Sequence, residues 1–218
     1  MHSLVVATNN RGKLEELRAL LEGLPVELLT LADVGAKDMV IVEDGATFEE
    51  NAIKKARAVA EATMILTLAD DSGLEVDALG GQPGVRSARF AHDRATDAEN
   101  NAALLGRLGE VGDARDDGRF PARFRCVLAL VDPYASEEEP RLSEGRCEGA
   151  ITRTPRGTGG FGYDPLFVVE GGDKTMAELA AEEKNRISHR ALACLRLRPV
   201  LERTLLDRDE KIRKILGE

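Results

Sequence analysis

Short apolar runs alternate with segments of helical periodicity in the first third of the sequence, and this alternation limits the fold more than any other feature. Leu4–Thr8 is a valine-rich run that suits a buried strand. Leucines then recur at helical spacing from Leu14 to Leu24, with charged residues between them. Such strand, loop and helix units are typical of α/β proteins, in which helices cover a central sheet.

Further helices are indicated by pairs of residues that suit a helix N-terminus. In a capping box, a threonine hydroxyl and a glutamate three positions later satisfy free backbone N–H groups of the first turn. The pairs are Thr47 with Glu50, Thr96 with Glu99 and Thr175 with Glu178. The leucine-rich segment Ser188–Leu206 predicts a last helix, which Pro199 is expected to kink or restart.

A predicted hairpin late in the chain changes the expected sheet from parallel to mixed. Arg123–Asp132 and Leu142–Thr152 are strand candidates, and the acidic, proline-containing segment 133–141 predicts a solvated turn between them. A further short strand is expected near Phe167. We therefore predict one domain over residues 1–218, of α/β class, with a mixed, twisted central β-sheet flanked by helices and two lobes that enclose a cleft.

Charge and composition argue against several classes of protein. The formal net charge is −9, so there is no excess of basic residues for broad binding to nucleic acid. No apolar run approaches membrane-spanning length, and we expect a cytoplasmic protein without membrane partners. Cys126, Cys147 and Cys194 lack the spacing of a zinc site and are expected to be reduced thiols in the core.

The segment ATNNRGKLEEL joins the first predicted strand to the first predicted helix. Free backbone N–H groups and the helix dipole favour an anion at such a junction, and Lys13 adds a mobile positive charge. Further polar contacts are offered by Thr8, Asn9 and Asn10. A Walker phosphate loop is excluded because Leu14 stands where that loop needs a hydroxyl. A simple polar turn is the alternative interpretation.

Two adjacent carboxylates, Asp70 and Asp71, follow the buried run Met64–Ala69. Alternation of apolar and polar residues resumes from Leu74, so we expect the acidic pair at a strand end. Successive strand residues point to opposite faces, so one carboxylate of the pair is expected to do chemistry. It would hold a divalent cation that in turn binds phosphate, and Glu43 is a second candidate ligand. The alternative for either acid is a solvated loop residue.

The glycine-rich segment GTGGFGYDPLF places two aromatic residues, Phe161 and Tyr163, in a loop. Glycines allow the backbone to approach a ligand closely, and an exposed ring between them suits stacking on a base. The alternative is a turn that packs both rings into the core. The protein has only six phenylalanines, two tyrosines and no tryptophan, so the placement of two aromatic residues here favours a ligand site.

The segment EEKNRISHRALA brings three hydrogen-bond donors, Lys184, His189 and Arg190, within two helical turns. Ser188 suits the N-cap of the helix that follows. Because His189 and Arg190 are adjacent, at least one is expected to leave the inner face of that helix. A lone histidine is more often structural than catalytic, but three donors together favour a ligand site.

Taken in order, four motifs resemble those of the inosine/xanthosine triphosphate pyrophosphatase family, the Ham1-like enzymes. The motifs are TNNRGK, DDSGLEVDALGGQPGVRSARF, GTGGFGYDPLF and KNRISHR, and the match covers nearly the whole chain. The resemblance implies hydrolysis of noncanonical purine nucleoside triphosphates, such as ITP, dITP and XTP, to the monophosphate and pyrophosphate. It also implies a magnesium cofactor (Mg2+) and a homodimer.

The resemblance further implies a role for each motif. Asp71 would be the catalytic acid that positions metal and water, with Glu43 as a second metal ligand in VEDGAT, where the family has EETG. Phe161 would stack on the purine. The implied substrate contacts are Thr8, Asn9, Asn10, Arg11, Gly12, Lys13, Ser72, Phe161, Gly162, Tyr163, Asp164, Lys184, His189 and Arg190.

Two alternatives stand beside this interpretation. A Maf-like nucleotide pyrophosphatase shares a related fold and an N-terminal phosphate loop, but the SHR and FGYD motifs argue against it. A non-catalytic sensor of purine nucleotides belongs to a different class of protein. The presence of both Asp71 and Glu43 argues against the sensor.

Overall fold

A computed structural model describes residues 1–111, 114–135 and 140–217. Its strands are β1 (His2–Val6), β2 (Val26–Thr30), β3 (Leu66–Val76), β4 (Phe120–Val131), β5 (Arg141–Ile151) and β6 (Phe167–Val169). They form a six-stranded sheet of order β2-β1-β3-β4-β5-β6. β1 runs parallel to β2 and β3, and the other neighbouring strands are antiparallel. The predicted mixed sheet is confirmed, and the enclosure of a cleft by two lobes stays a prediction.

Helices cover both faces of this sheet. They are α1 (Arg11–Leu20), α2 (Phe48–Thr63), α3 (Asp97–Glu110), α4 (Ala181–Ile187) and α5 (His189–Leu216). α1 and α5 pack on one face against Leu4, Val6 and other buried apolar residues. α2 packs on the opposite face, against Val5 and Ala7. A third apolar cluster joins α3 to β6 and to the ends of β3 and β4 near Val76 and Phe120.

Three of the predicted helix starts are confirmed. Thr47, Thr96 and Ser188 each accept a hydrogen bond from a backbone N–H in the first turn of α2, α3 and α5, respectively. The capping box predicted at Thr175 and Glu178 forms, but the helical segment that it opens is only the 3₁₀ turn Met176–Glu178. A longer helix does not form here because the backbone N–H and carbonyl of Ala177 bond to the loop around Gly159. The Ala177 N–H donates to the Asp164 carbonyl, and its own carbonyl accepts from Gly159.

β3 is longer than expected and corrects the placement of the acidic pair. The strand runs unbroken from Leu66 to Val76, so Asp70 and Asp71 lie near its middle rather than at an end. They pair with Leu128 and Val127 of β4. The predicted alternation from Leu74 onward is confirmed, since Leu74 and Val76 are fully buried, whereas Glu75 is partly exposed and Asp77 is exposed. Strand pairing continues through Asp70 and Asp71 because cations and hydrogen-bond donors from helices bind their buried carboxylates.

α5 corrects the expectation that Pro199 restarts the helix, and a kink there stays a prediction. The helix is continuous from His189 to Leu216, with Pro199 inside it. An internal proline costs a helix about 3 kcal/mol. Leu197, Leu201 and Leu205, which flank the proline on the buried face, hold the helix against the sheet. Burial of these leucines outweighs the lost backbone hydrogen bond.

Two further expectations concern the turn and the cysteines. The strands of the predicted hairpin are present, but residues 136–139 of the expected turn lie outside the described residues. Cys126, Cys147 and Cys194 are buried and free, as predicted. Among the residues that the structure describes, no helix is both long and apolar enough to cross a membrane.

Candidate functional site

The first turn of α1 is built by polar side chains that bind neighbouring backbone. Asn10 is the N-cap, and its Oδ1 accepts from the Lys13 N–H at 3.0 Å. The Thr8 hydroxyl oxygen accepts from the Asn10 N–H at 3.1 Å. Asn9 is exposed, and its Nδ2 lies 3.5 Å from the Lys37 carbonyl. Thr8 and Asn10 thus shape the loop, while the Lys13 side chain turns inward and is only 15% exposed.

Arg11 and Gly12 face a different direction from Lys13. Arg11 is exposed and pairs with Glu15 at 2.9 Å. Gly12 lies beneath the ring of Phe161, and a Cβ atom there would stand 2.5 Å from ring atom Cδ1. A glycine at this position therefore allows the aromatic loop to close onto α1.

Six charged side chains of alternating sign form a continuous series of ion pairs on the α1 and α5 face of the sheet. In order they are Asp164, Lys184, Glu16, Arg190, Asp70 and Lys13. Lys184 Nζ lies 2.6 Å from Asp164 and 2.7 Å from Glu16. Arg190 contacts Glu16 and donates from Nε to Asp70 at 2.8 Å. Lys13 Nζ is 2.5 Å from Asp70. Burial of these charges is tolerated because each has an opposite partner.

Asp70 and Asp164 differ in how burial and neighbouring charge balance. Burial alone would raise the pKa of Asp70, but Arg190 and Lys13 hold that pKa well below its usual range. Ser72 joins the two partners, since its hydroxyl donates to Asp70 at 2.9 Å and accepts from Arg190 at 2.8 Å. At Asp164, burial prevails over Lys184 and raises the pKa. Asp70 is therefore an anchored anion.

Asp71 lies on the opposite face of β3, beside α2. Its Oδ1 accepts from Lys55 Nζ at 2.8 Å, and its Oδ2 accepts from Asn51 Nδ2 at 3.3 Å. The same Lys55 Nζ donates to Glu43 Oε2 at 3.1 Å. Burial raises the pKa of Asp71, while Lys55 and Lys13 oppose the rise. Asp71 is thus a stronger proton acceptor than an ordinary aspartate.

The oxygens of Asp71 and Glu43 converge on one positive charge, the ammonium of Lys55. Two carboxylates suit Mg2+, which is commonly held by one or two carboxylates together with substrate phosphates and water. Within the described ranges, no group of three or more His, Cys, Asp or Glu side chains is arranged to hold an ion. The donor set therefore fits a magnesium ion that depends on its substrate for further ligands.

One cavity gathers most of the predicted binding residues. It measures about 100 Å³ and is lined by Asn10, Lys13, Ser72, Phe161, Gly162, Tyr163, Asp164, Lys184, His189 and Arg190, among others. A second cavity, of about 700 Å³, shares Phe161 and Lys184 with the first and adds Arg11 and Gly12. Phe161 thus borders both cavities, and Asp71 and Glu43 border neither. The first cavity is smaller than most ligand sites, so a large ligand needs the loop to move.

The two aromatic residues of the glycine-rich loop are placed differently. Tyr163 belongs to the apolar core, and its hydroxyl donates to the Ser87 carbonyl at 2.8 Å. Phe161 is half-buried, and its ring centroid lies 5.1 Å from Lys184 Nζ and 5.8 Å from the Arg190 guanidinium carbon. Phe161 is therefore the aromatic ring that could stack on a base. Tyr163 instead fixes the loop to the core.

His189 and Arg190 are both buried, which corrects the expectation that one of them leaves the inner face. Both lie in the first turn of α5. His189 contacts β4, and Arg190 contacts Asp70 and Glu16. His189 stacks on Phe124 with ring centroids 4.9 Å apart. Burial, together with Arg190, holds the pKa of His189 well below its usual value, so the imidazole is neutral. Its Nδ1 is buried without a hydrogen-bond partner in the described part of the chain.

Comparison with known proteins identifies the family. The profile described as the Ham1 family matches residues 4–200. The chain belongs to the Ham1 family. Two relatives of this Ham1-family chain are named dITP/XTP pyrophosphatase. That of Bacillus subtilis is 46% identical over 202 residues, which cover 93% of this chain and 98% of the relative. That of Geobacter sulfurreducens is 51% identical over 198 residues, which cover 90% and 96%.

A solved structure places the Ham1-family chain in the same fold. The structure of a HAM1 protein from Coxiella burnetii aligns with a TM-score of 0.81 and 42% sequence identity. The alignment covers 92% of this chain and 98% of that one. The α/β class predicted from sequence is therefore confirmed over the 92% of the chain that aligns.

The structure of this Ham1-family chain adds site residues that the motifs did not predict. Lys55 and Asn51 hold Asp71 from α2, and Glu16 holds Lys184 and Arg190 from α1. One sequence signal was available for each group. Asn51 and Lys55 lie four positions apart among the small residues of the α2 face, and Glu16 follows Lys13 by three, so each set shares a helix face. Asn51 and Lys55 are buried, and their polar groups need partners.

Proposed function

We propose that this chain hydrolyses noncanonical purine nucleoside triphosphates, such as dITP, ITP and XTP, to the nucleoside monophosphate and pyrophosphate. The observation that carries the proposal is one cavity lined by an inward-turned lysine, an aromatic ring and buried donors. These residues are Lys13, Phe161, His189 and Arg190. The names of the relatives, which are 46% and 51% identical, support the same substrates. Removal of such nucleotides would keep them out of DNA and RNA.

The triphosphate tail is assigned to the first turn of α1. Backbone N–H groups at a helix N-terminus and the Lys13 ammonium together suit a polyanion. Lys13 lies 2.5 Å from Asp70. A bound triphosphate would replace Asp70 as the negative partner of Lys13. Asp70 keeps Arg190 as a partner during that exchange. The bound tail therefore leaves no buried charge without a counterion.

Asp71 is assigned the proton transfer. Attack of water on the α-phosphorus needs a group that accepts a proton and fixes the direction of the water. The raised pKa of Asp71, caused by burial, makes its carboxylate a better acceptor. Asn51 and Lys55 hold both of its oxygens and keep the side chain in one orientation. A magnesium ion at Asp71 and Glu43 would offset negative charge on the phosphates and on the leaving pyrophosphate.

Selection of the base is assigned to donors beside Phe161. Hypoxanthine and xanthine present a carbonyl at C6, whereas adenine presents an amino group. Buried donors such as His189 and Arg190 suit the carbonyl and would be left unpaired by the amino group. Mismatches of this kind discriminate more strongly than differences in size. Stacking on Phe161 would hold any purine in place.

The proposal is tested by incubating the purified protein with ITP, dITP, XTP, ATP and GTP in the presence of magnesium. The products are separated by chromatography, and a metal-chelated sample serves as the control. We expect monophosphate and pyrophosphate from ITP, dITP and XTP at rates far above that for ATP, and GTP, which shares the C6 carbonyl, tests whether the 2-amino group is also rejected. Orthophosphate with a diphosphate would contradict attack at the α-phosphorus. Tight binding of ITP without turnover would favour the sensor.

Assembly and location complete the proposal. The family resemblance supports a homodimer, the lack of an apolar run of membrane-spanning length supports the cytoplasm, and the net charge of −9 argues against nucleic-acid partners. Sedimentation of the purified protein tests the dimer, because a monomer at micromolar concentration would contradict it.

A further inference from the structure

The loop that carries Phe161 is held by the first turns of α3, where Asp97 also lines the cavity that Phe161 borders. Asp97 Oδ2 accepts from the Gly162 N–H at 2.7 Å. Asn101 Nδ2 donates to the Gly162 carbonyl at 2.9 Å. Asp97 and Asn101 are four positions apart and therefore share one face of the helix. Both polar backbone groups of the residue after Phe161 are thus bound by a single helix.

The other side of the same loop is held from within the site. The Phe161 N–H donates to Asp164 Oδ2 at 3.1 Å, and Lys184 Nζ donates to that oxygen at 2.6 Å. Gly160 and Gly162 have φ angles of +72° and +62°, which an L-residue rarely adopts. The backbone therefore bends on both sides of Phe161, and hydrogen bonds on each side determine where the ring lies.

Asn101 is an unusual choice for a purely structural contact. Its Oδ1 is buried and has no hydrogen-bond partner among residues 1–111, 114–135 and 140–217. A buried acceptor without a partner is unfavourable, and native proteins keep few of them. The capping box of Thr96 and Glu99 fixes the start of α3, so Asp97 and Asn101 act from a rigid element.

We infer that Asp97 and Asn101 are positioning residues that hold Phe161 in its place for the purine base and thereby set the affinity for base-bearing substrates. The inference rests on the proposed function, because it concerns the stacking residue of that site. Neither residue belongs to the motifs that identify the family resemblance. Each acts through the Gly162 backbone, so its effect depends on the presence of the Phe161 ring.

The test compares Asp97→Ala and Asn101→Ala with Phe161→Ala, which removes the ring itself. We expect each α3 variant to raise the KM for ITP about 3- to 10-fold, as the loss of one hydrogen bond would, with kcat within about twofold of the parent. The inhibition constant of inorganic triphosphate, which has no base, should stay unchanged. Asp97→Asn should keep the parent KM, because its amide oxygen still accepts from Gly162. Ala102→Ser, on the exposed side of α3, is the matched control.

A double-mutant cycle gives the sharpest outcome. Asp97→Ala added to Phe161→Ala should raise the KM for ITP no further, since the ring that it positions is gone. Fully additive losses, or an equal loss of triphosphate binding, would overturn the inference. If the parent protein does not turn over ITP, the proposed function fails, and amide hydrogen exchange then tests the contact. Faster exchange of the Gly162 amide in Asp97→Ala supports positioning, and unchanged exchange overturns it.

Discussion

Asp70 and Asp71 carry the same carboxyl group one position apart, but β3 turns them to opposite faces of the sheet. Asp70 lies between Arg190 and Lys13, and its pKa is held well below the usual range. Asp71 faces Lys55, and burial raises its pKa. One carboxylate is therefore suited to hold cations in place, and the other is suited to accept a proton.

The change of each aspartate to asparagine separates these two roles. Asp71→Asn should lower kcat for ITP by about 10²- to 10⁴-fold, because a positioned acid or base contributes that much. Asp70→Asn should lower the free energy of unfolding by about 3 kcal/mol, because it removes the carboxylate that Lys13 and Arg190 share and leaves Arg190 with Glu16 alone. Turnover assays and urea unfolding of both variants check the contrast. A near-normal rate for Asp71→Asn with magnesium would show that Asp71 is not the essential acid.

His189 makes stability depend on pH. Its pKa is lowered in the folded protein, so below about pH 6.5 the unfolded chain binds a proton that the folded chain does not. Stability is therefore lost as the pH falls from about 6.5 towards the folded pKa. The loss over this range corresponds to a proton that only the unfolded chain binds. His189→Gln should remove that part of the pH dependence in urea unfolding, whereas His92→Gln, an exposed control, should leave it.

At the scale of the elements, local signals predicted helix starts well and strand extent poorly. Thr47 and Thr96 bond to backbone within their own first turn, so neighbouring sequence is enough to find them. β3 continues through Asp70 because β4 and the cations of α1 and α5 satisfy it, and those partners are far away in sequence. Aspartate is rare in strands when such partners are missing.

The contact between β5 and α5 depends on a glycine. A Cβ at Gly145 would lie 2.1 Å from the His189 carbonyl oxygen and 2.4 Å from the Ala193 nitrogen. Gly145→Ala should therefore displace the first turn of α5, lower the free energy of unfolding by about 1–3 kcal/mol and raise the KM for ITP. Gly106→Ala in α3, where a Cβ meets nothing within 4 Å, should stabilise the protein by about 0.5–1 kcal/mol. Thermal unfolding compares the two variants, and equal shifts would contradict the close contact.

At the scale of the whole molecule, α5 extends past the end of the family-profile match. The Ham1 profile ends at residue 200, whereas the helix continues to Leu216. Leu201 and Leu205 are buried against the sheet, and Asp209 bonds to His2 at 2.9 Å. Residues 210–217 are exposed. The extension therefore contains a packed part and an unpacked part.

Two truncations distinguish these parts. A chain that ends at Asp209 should keep its free energy of unfolding within about 0.5 kcal/mol, because residues 210–217 are exposed. A chain that ends at Val200 should lose several kcal/mol, because each fully buried leucine contributes about 1.5–3 kcal/mol. Urea unfolding of both chains checks the difference. Similar stability of the two would show that Leu201 and Leu205 contribute little.

The candidate site could be predicted from sequence only in part. Motif order placed Lys13, Phe161 and Arg190 in one site, and the structure brings them to one cavity. Two supporting residues were missed: Glu16, which pairs with Arg190, and Lys55, which pairs with Asp71. Their spacing places them on a helix face with Lys13 and Asn51, but it does not reveal a partner in a distant element. Short motifs report the residues that line a site more readily than those that support it.

The unbroken course of β3 limits how this gene can vary. β3 pairs with β1 on one side and with β4 on the other, so neither edge is free to slide. Insertion or deletion of one codon between Leu66 and Ala69 would invert the remainder of the strand and exchange the surroundings of Asp70 and Asp71. Each side chain after the insertion or deletion would then face the opposite side of the sheet, away from its present partners. This stretch can accept substitutions, but a change in its length would remove both the anchor and the proton acceptor at once.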